Sequence, residues 1–255
     1  MPFEYISSTE AMRRAGIRMV VMSGVPSPWS EAAKGFLHLK RLPWKAVRLA
    51  YDDETLKGWA GQLSAPTVFH DSDAPRTGWA EILMLFETLA PEPAMLPLEP
   101  HARAQALHLC EKFCAPDRLG WTRRLQCVHA GLTGKGGFTA RVAGFLARKY
   151  GYDPQRGDEY GPRVRAILRE LGEALRSQRS AGPYYLGQSL SAVDVYSATF
   201  MATLCPLPER HCAMDPAIRR AFEWLDDETA RALEPVLLEH RDMMYARHLE
   251  LPLSL

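Results

Sequence analysis

Two hydrophobic periods run along this chain, and the place where one gives way to the other divides it. Arg18 to Met22 is apolar after its first residue and is closed by Ser23-Gly24, the pattern of a short buried strand. Ser30 to Lys40 then brings Ala33, Phe36, Leu37 and Leu39 near one face, which predicts an amphipathic helix. Trp44 to Leu49 and Pro66 to Phe69 read as second and third strands, and Trp79 to Leu89 (WAEILMLFETL) as a strongly apolar helix. Upstream, Glu10 stands three residues after Ser7, the spacing of a capping box, and predicts a short leading helix. Strand, helix, strand, loop, strand, helix is the order of an α/β unit built around a βαβ crossover.

After Pro91 to Pro100 (PEPAMLPLEP) the strand pattern disappears. Prolines at this density support neither helix nor central strand, so the stretch reads as a semi-rigid connector. Beyond it, Val164, Ile167, Leu168, Leu171 and Leu175 form one apolar stripe on a helix begun by Gly161-Pro162, with Gly182-Pro183 closing the region. Further helices are predicted over residues 102–114, 122–130, 192–204, 216–225 and 229–248; Asp215-Pro216, a capping acid before a proline, starts one of them. The expected organisation is an α/β domain over residues 1–90, whose first sixteen residues are an extra segment, a linker over 91–100, and an all-helical domain over 101–255.

Composition narrows the classes of function. With 31 basic and 30 acidic residues, and a formal charge of +1, the chain carries no electrostatic footprint for nucleic acid or an anionic membrane. The most apolar runs are too short to span a bilayer, and the N-terminus lacks the basic start and apolar stretch of a secretory signal. Five cysteines, an odd number in mostly apolar helical contexts, are expected to be reduced thiols of a cytoplasmic protein.

Three segments carry chemistry or a fingerprint. Ser27-Pro28-Trp29-Ser30 follows the first strand and opens the helix that exits at Lys40-Arg41-Leu42-Pro43-Trp44. A hydroxyl at a helix N-terminus meets unpaired backbone N–H groups and the positive end of the helix dipole, a setting that stabilises a thiolate; it is equally the setting of an ordinary capping serine. Ser64-Ala65-Pro66-Thr67-Val68 places a proline at the head of the third strand. In Leu186 to Asp194 (LGQSLSAVD), Ser191 stands at an N-cap and Asp194, three residues on, reaches back to it, a folding element without catalysis.

In this order and at these separations, the three segments resemble the glutathione transferase superfamily of the serine type. The resemblance covers most of the chain from about Arg18 onward. It implies a thioredoxin-like α/β N-terminal domain followed by an all-α C-terminal helical bundle. Glutathione is then the co-substrate, Ser27 the catalytic hydroxyl for its thiol, and Ala65-Pro66 a cis pair whose backbone receives the cysteinyl part. The superfamily's acid-Ser pair for the γ-glutamyl end falls on Gly78-Trp79, which offers neither group. Arg76, Thr77 and the backbone of Gly78 and Trp79 at the helix N-terminus would stand in for it, and Trp29 completes the glutathione set. With serines at both Ser27 and Ser30, thiol-disulfide exchange by the protein itself is disfavoured. The implied activity is addition of glutathione thiolate to a small hydrophobic electrophile by a homodimer, a detoxification chemistry; the alternative is a catalytically silent binding or scaffolding protein of the same fold.

Weaker candidates complete the picture. Trp121, Arg123 and Arg124 lie where the superfamily builds its electrophile pocket, with a solvated helix face as the plain alternative for the arginines. Tyr245, near His240, is a second pocket candidate, with packing between the two domains as its plain alternative. His108, Cys110 and Cys114 share a helix but lack a second ligand pair, so no metal is expected. Gly134 to Gly137 lacks the P-loop spacing and is read as a loop.

Overall fold

The computed structural model describes residues 4–255. Its sheet is built on β2 (Ile17–Val21), which pairs parallel with β3 (Trp44–Arg48) and antiparallel with β4 (Thr67–His70). All five residues of β2 are buried, as a central strand covered on both faces requires. Met19 and Val21 face a core shared with α2 (Pro28–Leu39) and α4 (Trp79–Leu89). Val20, Val47 and Phe69 point the other way, onto Ala11 of α1 (Ser8–Arg13) and Leu56 of α3 (Glu54–Ala60). The period of two along the strand thus separates two layers.

The leading segment is built into this sheet. β1 (Tyr5–Ile6) pairs parallel with β3 at the edge, giving the order β1-β3-β2-β4. Arg18, buried in the central strand, ties the segment down: its guanidinium donates to the carbonyls of Ala11 (3.2 Å), Gly16 (2.5 Å) and Asp71 (2.8 Å). Ser7 caps α1 by accepting from the Glu10 N–H at 3.1 Å, but the Glu10 carboxylate turns to Arg14 instead of reaching back. Helix α3 escapes the sequence pattern; Asp53 caps it and Gly61, in the left-handed conformation at φ 71°, ends it.

No helix or strand lies between α4 and α5 (Pro100–Cys114). The rest is helical: α6 (Leu119–Leu132), α7 (Ala140–Tyr150), α8 (Tyr160–Gln178), α9 (Ala192–Met201), α10 (Pro216–Glu223), α11 (Asp227–Ala232) and α12 (Pro235–Arg247). The helix predicted over 229–248 is two helices, because Pro235 has no N–H for the preceding turn and opens α12 instead. Helix α7, absent from the sequence reading, buries only Ala143 fully, too little for a clear stripe.

Helix α9 is the hub. All ten of its residues are buried, and it packs against α2, α5 and α12. Its start is the segment ending in Asp194. One carboxylate oxygen accepts from the Ser191 N–H (2.9 Å) and hydroxyl (2.8 Å); the other accepts from the Tyr185 N–H (2.9 Å) and lies 3.0 Å from His240 Nε2. The Ser191 hydroxyl therefore serves the carboxylate, and His240 belongs to this network within the helical half.

Candidate functional site

Where the α/β half meets the helices, the chain leaves a cavity of about 630 Å³. Its α/β wall is made by Ser27, Trp29, Ser64, Ala65, Pro66 and Thr77. Pro28 at the first position of α2 supplies the helical φ and removes an N–H that would have no partner. This leaves Ser27 at the N-cap, half-buried, with its carbonyl accepting from the Glu31 N–H at 2.8 Å. The Ser27 hydroxyl makes no capping hydrogen bond. The Ala65-Pro66 bond is cis, as the family resemblance implied.

Trp29 turns from α2 toward the helical half. Its indole N–H donates to the Cys114 carbonyl at 3.1 Å, and its ring meets Phe200 and Trp121 edge-on, with centroids 4.9 and 6.4 Å apart. Gly120 on α6 makes this approach possible: a Cβ there would stand 2.4 Å from Phe200 and 2.8 Å from Trp29. One turn along α6, the Arg124 guanidinium lies 5.0 Å from the Trp29 ring and 4.4 Å from the Tyr150 ring.

The opposing helical wall comes largely from α7, through Val142, Phe145, Leu146, Lys149 and Tyr150. Across the mouth, the Lys149 ammonium donates to the Tyr51 hydroxyl at 2.6 Å, while the Tyr51 and Phe145 rings meet at 5.5 Å. Burial holds the Lys149 ammonium below the ordinary lysine range, with Arg124 adding to the effect, and pushes the Tyr51 hydroxyl up.

The structure separates the other predicted residues. Arg76, Gly78 and Trp79 do not line the cavity. Arg76 is held in a backbone bridge to Val68, and its guanidinium is 3.2 Å from the Asp73 carboxylate. The Trp79 ring packs edge-on against Tyr196 with centroids 5.8 Å apart. The Gly78 N–H, expected to be open to a ligand, is 3.3 Å from Oε2 of Glu81, an exposed acid on the first turn of α4 that folds back over the helix end. Tyr245 is buried under α2 with Glu31 and Lys34, outside this cavity, because α12 packs chiefly on α9 and α8. Arg123 is not on a solvated face: it is 1% exposed and donates to the carbonyls of Thr203 and Trp224 and to Gln126.

The residues that the sequence reading missed, Tyr51, Phe145, Lys149 and Tyr150, belong to a loop and to α7. One signal was present: Val142, Phe145, Leu146 and Lys149 repeat at helical spacing. Among the described residues no group of three or more His, Cys, Asp or Glu side chains is placed to hold a metal ion. His108 is exposed while Cys110 and Cys114 are buried, their thiols pushed up by desolvation. No helix among the described residues is long and apolar enough to cross a membrane.

No protein-family model matches the chain, and no curated protein matches it. Solved structures do. It is similar to a glutathione S-transferase of the Antarctic clam Laternula elliptica at 15% identity and TM-score 0.59, over 91% of this chain and 89% of that one. It is similar to one from Methylobacterium radiotolerans in complex with glutathione sulfonate, at 18% identity and TM-score 0.56, over 91% and 92%. A Pseudomonas fluorescens family member with two glutathione molecules bound matches at 14% identity and TM-score 0.56, over 92% and 97%. The chain has the glutathione transferase fold, a small mixed sheet with its helices followed by an all-helical half.

Proposed function

We propose that this chain is an enzyme that binds glutathione on the α/β wall of the cleft and adds its sulfur to a small electrophile held against α6 and α7. The observation that carries this reading is the Ser27 hydroxyl, which lines the cavity at the N-terminus of α2 and takes no part in capping it. Donation from Ser27 Oγ–H to the glutathione sulfur, together with the dipole of a 12-residue helix, favours the thiolate. The thiol proton leaves to solvent, the sulfur's electron pair forms the new S–C bond, and the displaced pair departs with a leaving group or takes up a proton. The dipole contributes about 0.3–1 kcal/mol and a charge-assisted hydrogen bond about 1.5–3 kcal/mol.

The backbone of Ala65 meets the cysteinyl part, and the γ-glutamyl end points toward Thr77 and the start of α4. There Glu81 takes the place of the acid absent from Gly78-Trp79: its carboxylate meets the ligand's ammonium, while the N–H groups of the first turn receive the ligand's carboxylate once Glu81 moves off Gly78. A cytoplasmic homodimer belongs to the same reading. Glutathione sulfonate bound in the similar structure from Methylobacterium radiotolerans, and glutathione in that from Pseudomonas fluorescens, support the glutathione-binding part of the reading.

The second reading, a silent scaffold, is favoured by two contacts: Glu81 closes over Gly78, and Arg76 is spent on Asp73. Titration calorimetry separates the two. The enzyme reading expects saturable glutathione binding at or below millimolar concentration, weakened about tenfold in Glu81→Gln through loss of one charged partner. An absence of binding at millimolar glutathione leaves the scaffold.

A further inference from the structure

The helical wall of the cleft carries two cations, Arg124 and Lys149, with which no carboxylate pairs among the described residues. The Arg124 guanidinium lies over the Trp29 and Tyr150 rings. The one acid lining the cavity, Asp215, is occupied at the start of α10, where Oδ1 accepts from the N–H groups of Ala217 (2.7 Å) and Ile218 (3.3 Å). Both cations also sit on one ring: Tyr150 lies 4.4 Å from the Arg124 guanidinium carbon and 5.6 Å from the Lys149 nitrogen. Like charges brought together in a half-buried cleft repel one another; the Lys149 ammonium is lowered first by desolvation, and the repulsion from Arg124 adds to it. An anion between them would relieve both costs. The surroundings are apolar and aromatic: Trp29, Trp121, Val142 and Phe145 line the same space, and Val142 and Phe145 are each 41% exposed.

We propose that the electrophile is an anion, a small aromatic or conjugated carboxylate whose carboxylate is taken by Arg124 and Lys149 while its apolar body lies against Trp121 and Val142. A guanidinium fork matches a carboxylate, and the rings beneath it fix its plane. This rests on the reading of the cleft given above and narrows its substrate from a hydrophobic electrophile to an acidic one. Glutathione also carries carboxylates, but in the reading given above it lies on the opposite wall, lined by Ser27, Ala65 and Thr77.

The test uses an inert pair, 3,5-dinitrobenzoate and 3,5-dinitrobenzamide, which share a ring and differ in charge. Each is titrated into the full chain by tryptophan quenching, and glutathione is titrated separately by calorimetry. The benzoate is expected to bind at least about tenfold more tightly than the amide, the scale of one charge-assisted contact. In Arg124→Gln the preference falls to within about twofold, with glutathione affinity unchanged. Lys149→Gln, on the outer helix, reduces the preference in part and serves if the Arg124 variant does not fold. The proposal is overturned if neither probe binds at millimolar concentration, if the amide binds as well as the benzoate, if the preference survives both substitutions, or if the substitutions weaken glutathione and leave the preference intact. If glutathione fails to bind while the benzoate preference and its dependence on Arg124 stand, the glutathione reading falls and the anion site remains.

Discussion

Replacing Ser27 by alanine is expected to lower turnover with glutathione by about ten- to a thousandfold, the scale of removing one donor to a developing anion. Stability should change by less than about 0.5 kcal/mol, the range of substitutions that break no network. The two expectations are separable because of one geometric fact: a serine at a helix start usually accepts from a backbone N–H, and Ser27 does not. Steady-state kinetics paired with thermal unfolding read both. A variant that keeps its turnover removes Ser27 from the chemistry. A variant whose melting temperature drops by several degrees assigns the hydroxyl to the fold.

The largest effect on stability is expected at Asp194. This carboxylate is 0% exposed and holds two backbone N–H groups, the Ser191 hydroxyl and the His240 ring. Asp194→Ala strands four buried polar groups at once and is expected to cost about 3–5 kcal/mol, a large part of the stability of an ordinary domain. Asp194→Asn should cost less, since the amide oxygen still accepts, although its NH₂ then faces donors. Denaturant unfolding measures the difference. A loss below about 1 kcal/mol in Asp194→Ala would mean that water replaces the carboxylate within the network.

Much of this framework was legible before any coordinates. Local rules decide the start of α9 and of α10, the helix over Trp79–Leu89, and the strand at residues 18–22, and each lies within a residue or two of its predicted place. The α/β wall was legible for the same reason: Ser27 and Ala65-Pro66 are fixed by turn chemistry written in adjacent residues. The opposite wall was not. Tyr51 and Lys149 are 98 positions apart in sequence and meet only through the packing of the two halves, and α7 offers too short a buried stripe to announce itself. Tyr245 was misplaced because spacing along a helix says nothing about which neighbour that helix will choose. Arg123 and Arg124 show the limit most sharply. Adjacent residues of one type on one helix point about 100° apart, so one is sealed in the core and the other faces the cleft.

The central claim is that this cleft presents Ser27 to the sulfur of glutathione. A crystal structure of the chain grown with glutathione tests it most directly. The account predicts the tripeptide along the Ser27–Thr77 wall, with its sulfur within hydrogen-bond distance of Ser27 Oγ and its γ-glutamyl end beside Glu81. Glutathione bound elsewhere, or with its sulfur turned away from Ser27, would contradict it.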